Sequence, residues 1–422
     1  MDKHPLYTIS HVRLDAVPIL FPAKRVGQGK YMVFWWNEVA LGHLFLLPEQ
    51  QPLSEAECRE KTIEAILPAL ERYSDTLNTA SIPRRIKTDA QYFESFVAII
   101  ATIISTRVPT TLPPVVPVSV IICTRNRASQ LRRCLKMLQK LPCAPAEIVV
   151  VDNASTDNST RDVCQDFAQV IYLKEPRAGL DIARNRGAVA AQHAVVAYVD
   201  DDVVVHPHMV YRVWETFQDP AVGAMTGLVL ALELATEAQL IFEQHWTFNR
   251  GYSDKFYDVN YFNAAKNNAP HVWDIGAGAN MAFRKSIFET VGYFNELLDV
   301  GAAGCSGDSE MWYRILLHGH TIHYNPRAIV YHEHRKEMAG LKIQLFYYMR
   351  GHVAAALIQQ EENSASGYRR YLTQDIIKYY ASLIRGGFPF YRFRTQTLWA
   401  EVKGLASGVA FYYRNRTRSS KS

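Results

Sequence analysis

Three consecutive carboxylates follow a short apolar run near the middle of the chain. The run Val195–Val199 is continuous and apolar, as expected of a strand buried on both faces, and it leads directly into Asp200, Asp201 and Asp202. Adjacent carboxylates repel one another strongly unless a cation or hydrogen-bond donors offset them. Oxygen ligands suit the hard divalent ions Mg²⁺ and Mn²⁺, which usually also take phosphate oxygens. The pattern therefore predicts a metal–phosphate site, and a solvated acidic turn is the alternative.

Two earlier apolar runs also end in polar residues. Residues 118–123 lead into Thr124 and Arg127, and residues 148–151 lead into Asp152. The segments between the runs have helical character, and this alternation predicts βαβ units and a mostly parallel sheet. Ligands of such sheets bind beyond the carboxyl ends of the strands, so we expect the polar residues to share one edge. For Asp152 alone, a turn and helix cap is an equally good interpretation.

An arginine-bearing helix start lies between the run at residues 148–151 and the run Val195–Val199. Gly179 precedes a helix that we predict over about residues 180–192, and Arg184 falls near its second turn. A helix start with a nearby arginine is a natural anion site. The alternative is an ordinary surface helix, which the neighbouring acidic residues make less attractive.

In their order, these motifs resemble the family 2 glycosyltransferases, whose nucleotide-sugar-binding domain has the GT-A fold. The resemblance covers about residues 117–335 and rests on TRNR, VVDNAS, GLDIARNRG and YVDDD, followed by GAGANMAFR and GDSEMWYR. It implies an α/β fold with a Rossmann-like, mostly parallel sheet. It also implies a hexosyltransferase-type enzyme that moves a sugar from a nucleotide-diphosphate donor to an acceptor hydroxyl, with inversion and with Mg²⁺ or Mn²⁺.

The resemblance also implies roles for individual residues on the donor side. His332 follows a β-prone run and is expected to reach the metal or diphosphate, although a structural histidine is the alternative. The expected metal ligands are Asp202, Asp200 and His332. The expected nucleotide-sugar contacts are Thr124, Arg127, Asp152, Gly179, Arg184, Asp200 and Asp201.

On the acceptor side, Asp308 is the expected general base. The family has a Glu-Asp pair at a helix start, whereas this chain has Gly307-Asp308, so the glutamate is missing. A carboxylate held close to the acceptor hydroxyl can take its proton during attack on the anomeric carbon. A helix N-cap is the alternative role for Asp308, and Glu310 is the fallback base. The expected acceptor-binding residues are Trp273, Asp274, Gly278, Asn280 and Glu310.

Composition sets the class of protein. The 422 residues are 48% apolar and 21% charged, which is typical of a globular chain of at most about three domains. The six scattered cysteines indicate a reducing compartment. The N-terminus has no apolar core of signal-peptide length, and the longest apolar run, residues 96–104, is roughly half a bilayer span. We expect a cytoplasmic protein, with the inner face of the cell membrane as a secondary location.

Four regions follow from these patterns. Residues 1–107 form an α+β accessory region, with strands near 7–14 and 31–36 and helices near 55–73 and 90–105. Residues 108–117 form a proline-rich linker, residues 118–335 form the GT-A domain, and residues 336–422 form a helical, basic C-terminal region. From residue 368 onwards, eleven basic residues face only Asp375 and Glu401. Contact with an anionic membrane and coverage of the acidic body are both open interpretations, and nucleic acid is not expected.

The expected function is single-sugar transfer in glycan, polysaccharide or glycolipid synthesis. No Gln-x-x-Arg-Trp pattern occurs, which argues against a processive synthase. The preferred donor is a UDP-sugar, and the acceptor is a saccharide or a lipid-linked molecule. Two other classes stay open: a nucleotidyltransferase, although residues 123–127 lack the glycine that its phosphate loop needs, and a relative that binds nucleotide sugars without catalysis.

Overall fold

A small sheet and two helices form the first part of the protein. The computed structural model describes residues 6–16, 19, 27–74 and 90–419. Within the described residues, strand β2 pairs with β1 in parallel and with β3 in antiparallel fashion. One face of this sheet packs on helices α1 and α2. These elements are β1 (Tyr7–Arg13), β2 (Gly29–Trp36), β3 (Val39–Leu46), α1 (Glu55–Tyr73) and α2 (Ala90–Ser105).

The other face of the N-terminal sheet is buried against the rest of the protein. Tyr31 and Trp35 of β2 form one apolar cluster with Leu228 and Ile329, which belong to the central sheet. Trp36 points to the opposite face, towards the two helices. Both tryptophans are therefore core residues, and the accessory region is packed directly on the domain that follows it.

Within the described residues, the central sheet has nine strands, and eight of them follow the order β10-β12-β9-β11-β7-β4-β5-β6. Strand β8 pairs with β12. The strands are β4 (Val115–Thr124), β5 (Ala144–Asn153), β6 (Val170–Glu175), β7 (Val195–Val199), β8 (Val203–Val205), β9 (Val222–Ala231), β10 (Lys255–Tyr257), β11 (Asn280–Arg284) and β12 (Thr321–His332).

Strand β4 begins inside the segment that the sequence predicts to be linker. Val115 and Val116 pair with β5, and the register is interrupted between Val116 and Ser119, on either side of Pro117. The neighbouring pairing with β7 starts only at Val118. A proline is tolerated here because it lies at the beginning of the strand and at an irregularity, where no ladder hydrogen bond is lost.

Most strands of the central sheet run in the same direction. Strands β6, β5, β4 and β7 are mutually parallel, and β11 runs antiparallel to both β7 and β9, so β9 and its parallel partner β12 share the common direction. The α/β class and the mostly parallel sheet expected of the GT-A fold are confirmed. Since the carboxyl ends of β4, β5, β7 and β12 lie at one edge, this topology brings Thr124, residues 200–202 and His332 together.

Helices cover both faces of the central sheet. The largest apolar clusters lie on either side of it, one containing Ile122 and Val150 and the other containing Ile121 and Val149. The helices of this part are α3 (Ala128–Leu138), α4 (Ser159–Gln165), α5 (Leu180–Ala190), α6 (Met209–Thr216), α7 (Glu237–His245), α8 (Val259–Ala265), α9 (Ile287–Val291) and α10 (Gly307–Leu317).

The C-terminal region is helical, as predicted. It consists of α11 (Met338–Glu362), α12 (Tyr368–Arg370), a π-helical turn (Tyr371–Asp375), α13 (Ile376–Gly387) and α14 (Leu398–Ser419). Helix α14 packs so closely along α11 that a Cβ atom at Gly408 would lie 2.6 Å from the carbonyl oxygen of Arg350. Lys421, the last basic residue of the sequence, lies outside the described residues. Among the helices of the described residues, none combines the length and apolar character needed to cross a bilayer.

Candidate active site

A cleft of about 1140 Å³ opens at the carboxyl edge of the central sheet. One wall is formed by the strand ends, including residues 200–202 and His332. The opposite wall is formed by residues of α11 and α13, such as Tyr347 and Tyr380. Asp308 lies between the two walls at the start of α10. The cleft therefore joins residues of the predicted GT-A domain to residues of the C-terminal region.

The middle carboxylate of the acidic run is fully engaged inside the protein. The hydroxyl of Thr124 donates to Asp201 Oδ2 at 2.6 Å, and Arg127 Nη1 donates to Asp201 Oδ1 at 3.0 Å. The same Arg127 nitrogen donates to Asp202 Oδ2, also at 3.0 Å. Asp201 is 3% exposed. Thr124 and Arg127 thus offset the charge of the acidic run, and both still line the cleft.

The two outer carboxylates and His332 form a candidate metal site. Ligand atoms of Asp200, Asp202 and His332 all lie within 4.8 Å of one another. Asp202 Oδ1 is buried and has no hydrogen-bond partner among the described residues, and His332 Nε2 lies 3.7 Å from it. An orphaned buried carboxylate oxygen costs free energy unless a cation or donor meets it. Two carboxylates and one imidazole are ligands that Mn²⁺ accepts, and Mg²⁺ favours the two oxygens.

Burial changes the protonation behaviour of this cluster. It raises the pKa of Asp200 to about 7, and the neighbouring Asp202 carboxylate adds to the increase. Burial also lowers the pKa of His332 to about 4, against the opposing effect of Asp202. His332 is therefore a neutral imidazole at neutral pH, which is the form that ligates metal ions.

Asp308 lies within the first turn of α10 and faces the cleft. Its Oδ2 accepts a hydrogen bond from the backbone N–H of Gly278 at 2.8 Å, and its Oδ1 accepts from the N–H of Ser309 at 2.7 Å. The helix begins at Gly307, and Ser306 precedes it, so Asp308 does not occupy the N-cap position. A Cβ atom at Gly278 would lie 3.0 Å from Asp308 Oδ2 and 2.6 Å from Arg184 Nη2. A side chain at this position would therefore force Arg184 and Asp308 to shift.

A buried ion pair lies beside Asp308. Arg184 Nη1 contacts Asp181 Oδ1 at 3.0 Å, and burial raises the pKa of Asp181 to about 7. Burial alone would lower the pKa of Arg184, but the carboxylates of Asp181, Asp200 and Asp308 raise it overall. The Asp181 carboxylate also fills the space that a side chain at Gly307 would need. A glutamate at the position before Asp308 would therefore require the Asp181 carboxylate to move.

With this geometry in place, comparison with known proteins assigns the domain. Residues 119–292 match the sequence model of the family described as Glycosyl transferase family 2. These residues form a family 2 glycosyltransferase domain. The match includes the acidic run and Gly278, and it ends before Asp308.

Two individual relatives are 35% and 24% identical to parts of this chain. The chain is 35% identical over 94 residues to the uncharacterized glycosyltransferase YibD of Escherichia coli, which is 22% of this chain and 27% of that protein. It is 24% identical over 249 residues to a glucosyl-dolichyl phosphate glucuronosyltransferase of Haloferax volcanii, covering 54% and 74% of the two chains. In four curated relatives, the chain spans only 27% to 58% of the relative's length.

Among solved structures, one that resembles this chain comes from an archaeon. It is the mannosyltransferase PcManGT from Pyrobaculum calidifontis in complex with GDP-Man and Mn²⁺. The identity is 17% and the TM-score is 0.44, over 76% of this chain and 96% of the other.

At the start of α5, the backbone amides already have a partner within the protein. Asp299 accepts hydrogen bonds from the backbone N–H groups of Leu180, Asp181 and Ile182 at the start of α5. These amides are consequently not open to an anion. Gly179 lines the cleft, but its own N–H donates to Asn153 Oδ1 at 2.8 Å. Its predicted role in nucleotide-sugar binding stays a prediction, and Arg184 also lines the cleft.

Two further predicted residues have structural partners instead of facing the cleft. Glu310 is 2% exposed and forms a two-pronged ion pair with Arg314, with distances of 2.7 and 2.9 Å. Asn280 is fully buried, and its amide nitrogen donates to the carbonyl oxygens of Leu228 and Ala328, which joins β9 to β12. Neither residue is among those that line the cleft, and the acceptor-binding role of both stays a prediction.

Of the remaining predicted residues, Trp273 lines the cleft, whereas Asp274 and Asp152 do not. Trp273 lines the cleft and stacks on Tyr371, with ring centroids 5.4 Å apart. Asp274 is exposed and lies outside the cleft lining. Asp152 is buried behind the lining, where one carboxylate oxygen accepts from the Tyr172 hydroxyl at 2.7 Å. Its other oxygen, Oδ1, has no partner among the described residues.

Residues that sequence reasoning missed form much of the far wall. They come from α11, from the π-helical turn and from the C-terminal helices, and the family resemblance does not reach them. The lining residues of this group are Ile343, Tyr347, His352, Tyr371, Tyr379, Tyr380 and Arg394. The concentration of tyrosines after residue 346 was the available signal, but nothing in the sequence showed which face of each helix they occupy.

Proposed function

We propose that the protein is a metal-dependent glycosyltransferase that moves one sugar from a nucleotide-diphosphate donor to an acceptor hydroxyl, with inversion. The observation that carries this proposal is that one cleft of a family 2 glycosyltransferase domain holds both a cation-binding cluster and Asp308. The cluster and Asp308 flank the buried guanidinium of Arg184. Donor activation and proton removal thus have separate groups, and both interact with the same positive charge.

On the donor side, the proposed ligands of Mg²⁺ or Mn²⁺ are Asp200, Asp202 and His332. The bound ion would supply Lewis-acid stabilisation of the charge that develops on the leaving diphosphate. Arg127 keeps the acidic run from repelling the donor, because it neutralises Asp201 and part of Asp202. UDP is the proposed nucleotide, because the family uses it most often. Asp152, whose buried Oδ1 has no partner among the described residues, is the proposed residue for recognition of the base.

On the acceptor side, Asp308 is the proposed general base. Its Oδ2 is held by the Gly278 N–H, so the carboxylate has a fixed direction before any substrate arrives. In this role it takes the proton of the attacking hydroxyl, and the attack occurs on the sugar face opposite the diphosphate. Trp273 lines the same cleft and is the proposed stacking surface for a saccharide.

The acceptor is proposed to be lipid-linked. One relative is named for glucosyl-dolichyl phosphate, and the cleft wall of this protein is rich in aromatic and aliphatic side chains. Beyond that wall, Phe388 and Phe390 are 73% and 71% exposed, with Arg385 and Arg392 close by in the chain. Exposed aromatic rings between arginines suit the interface of an anionic bilayer. The proposed location is therefore the cytoplasmic face of the cell membrane.

The membrane part of the proposal is tested with lipid vesicles. The wild type should sediment with vesicles containing phosphatidylglycerol and not with pure phosphatidylcholine. The double variant Phe388→Ser/Phe390→Ser should lose sedimentation. Phe256→Ser is the control, since Phe256 is 57% exposed but lies on β10 in the glycosyltransferase domain. Equal sedimentation of all three proteins would reject this surface.

The enzymatic part is tested with a panel of UDP-, GDP- and dTDP-sugars, each with and without Mn²⁺. A true donor should raise the unfolding temperature, because stabilisation reaches about 2.7 kcal/mol at a hundredfold excess over Kd. Release of nucleoside diphosphate upon addition of acceptor then measures transfer. Donor binding without any transfer, in wild type and Asp308→Asn alike, would indicate a binding protein instead.

A further inference from the structure

A chain of buried hydrogen bonds leads away from His332 to the N-terminal sheet. His332 Nδ1 lies 3.0 Å from His334 Nδ1, and His334 Nε2 lies 2.9 Å from Glu243 Oε2. The other carboxylate oxygen of Glu243 accepts a hydrogen bond from the Tyr31 hydroxyl at 3.3 Å. All four side chains are buried. The chain begins at the candidate metal site and ends in the accessory region.

The chemistry of each group determines which nitrogen atom carries each proton. An ionised carboxylate only accepts, so Glu243 requires a proton on His334 Nε2. In a neutral imidazole the other nitrogen is then an acceptor, and His334 Nδ1 takes a proton from His332 Nδ1. His332 Nε2 is left with a free lone pair. This is the nitrogen that lies 3.7 Å from the orphaned Oδ1 of Asp202.

The surroundings leave little room for water to replace these bonds. The Phe242 ring lies against His334 with centroids 4.6 Å apart, and the Phe248 ring meets His332 edge-on at 5.3 Å. Buried polar groups in apolar surroundings must find partners within the protein. The two histidines therefore depend on each other and on Glu243 for their orientation.

We propose that Glu243, His334 and Tyr31 are positioning residues that hold His332 in the tautomer and orientation needed to bind the divalent ion. The inference rests on the proposed function, and it gives the accessory region a role: β2 supplies the outermost member of the array. Partners behind a metal-binding histidine fix its tautomer and raise its basicity, and their loss typically weakens metal binding 10- to 100-fold.

Calorimetric titration of the protein with Mn²⁺ alone tests the proposal. His334→Leu removes the acceptor and should weaken Mn²⁺ binding on the order of 10- to 100-fold. His334→Asn should restore much of the affinity, because its amide oxygen can accept from His332 Nδ1. Tyr31→Phe should weaken binding about fivefold, as expected for one hydrogen bond. Tyr73→Phe is the matched control, since its hydroxyl joins the accessory region to the Tyr252 carbonyl outside this array.

A second readout does not depend on metal. Nitrogen-15 spectra of the metal-free wild type should show His332 protonated on Nδ1, with the signal assigned by its loss in His332→Gln. A proton on Nε2 would overturn the proposal, and so would unchanged Mn²⁺ affinity in both His334→Leu and Tyr31→Phe. If the wild type bound no Mn²⁺, the proposed function would be contradicted. The tautomer measurement would then still decide whether Glu243 and His334 orient His332.

Discussion

Replacing Asp201 and Asp202 in turn by asparagine should separate a carboxylate that stabilises the fold from one that binds the cation. The two residues are adjacent and chemically identical, but their surroundings differ. Asp201 is engaged by Thr124 and Arg127, whereas Asp202 has one buried oxygen with no partner among the described residues. The first variant should therefore lose stability and the second should lose metal binding.

The size of each effect follows from these contacts. A hydrogen bond to a charged group contributes about 1.5–3 kcal/mol. Arg127 is 33% exposed, so solvent screening reduces the free energy that its ion pair with Asp201 contributes. The asparagine of the variant also keeps one acceptor oxygen. We expect Asp201→Asn to lose about 2 kcal/mol of unfolding free energy, or roughly 2–3 °C in Tm for a chain of this length. Asp202→Asn should keep or raise Tm, because it removes repulsion from Asp200 and its amide oxygen can still accept from Arg127.

Thermal unfolding with and without Mn²⁺ checks both effects in one experiment. Asp201→Asn should start from a lower Tm and still rise when Mn²⁺ is added. Asp202→Asn should start near the wild-type Tm and should not respond, because the loss of a ligand weakens binding by more than about 100-fold. If the two variants lost stability and Mn²⁺ response to the same extent, the distinction between them would be refuted.

Three further variants address the centre of the cleft. Asp308→Asn should lower kcat by about 10²- to 10⁴-fold and leave the calorimetric Kd of the donor unchanged, because asparagine can still accept from the Gly278 N–H. Gly278→Ala should lower kcat by about 100-fold, since its methyl group displaces Arg184 and Asp308, whereas Gly386→Ala, with open space around it, should not. Burial raises the pKa of Asp181 from 3.8 to about 7, so the folded protein holds this proton more tightly than the unfolded chain does. The stabilisation that results is complete below about pH 4 and is lost as the pH rises through 7. Urea unfolding of Asp181→Asn should therefore show a smaller fall in unfolding free energy between about pH 5 and pH 8 than the wild type.

The sequence was most informative where local pattern and topology coincide. The rule that ligands bind at the carboxyl ends of parallel strands predicts that Thr124, the acidic run and His332 meet, and the structure brings them together. Helix α1 begins as predicted, with Ser54 and Glu57 forming a capping box. Both results depend on residues close in sequence or on a general property of α/β sheets.

Partners that are distant in sequence could not be predicted. The start of α5 looked like an anion site, but Asp299 satisfies its amides from 119 residues away. Glu310 looked like a fallback base because it shares the first turn of α10 with Asp308, yet the two side chains leave the helix in different directions, and Arg314 holds Glu310. A motif gives the residue types of a site. The direction of each side chain depends on packing that the motif does not contain.

The ion pairs of the cleft offer a physical way to distinguish its carboxylates. Asp181 is paired with Arg184 and Asp201 with Arg127, so each has a permanent positive partner. Asp200 and Asp308 have no ion pair within the part of the chain that the structure describes, and Asp202 has one for only one of its two oxygens. A carboxylate without an ion pair finds its compensation in hydrogen-bond donors, a metal ion, a proton or water. The proposed metal ligands Asp200 and Asp202 and the proposed base Asp308 are therefore the carboxylates of this group that lack a full ion pair, and this holds without reference to any family motif.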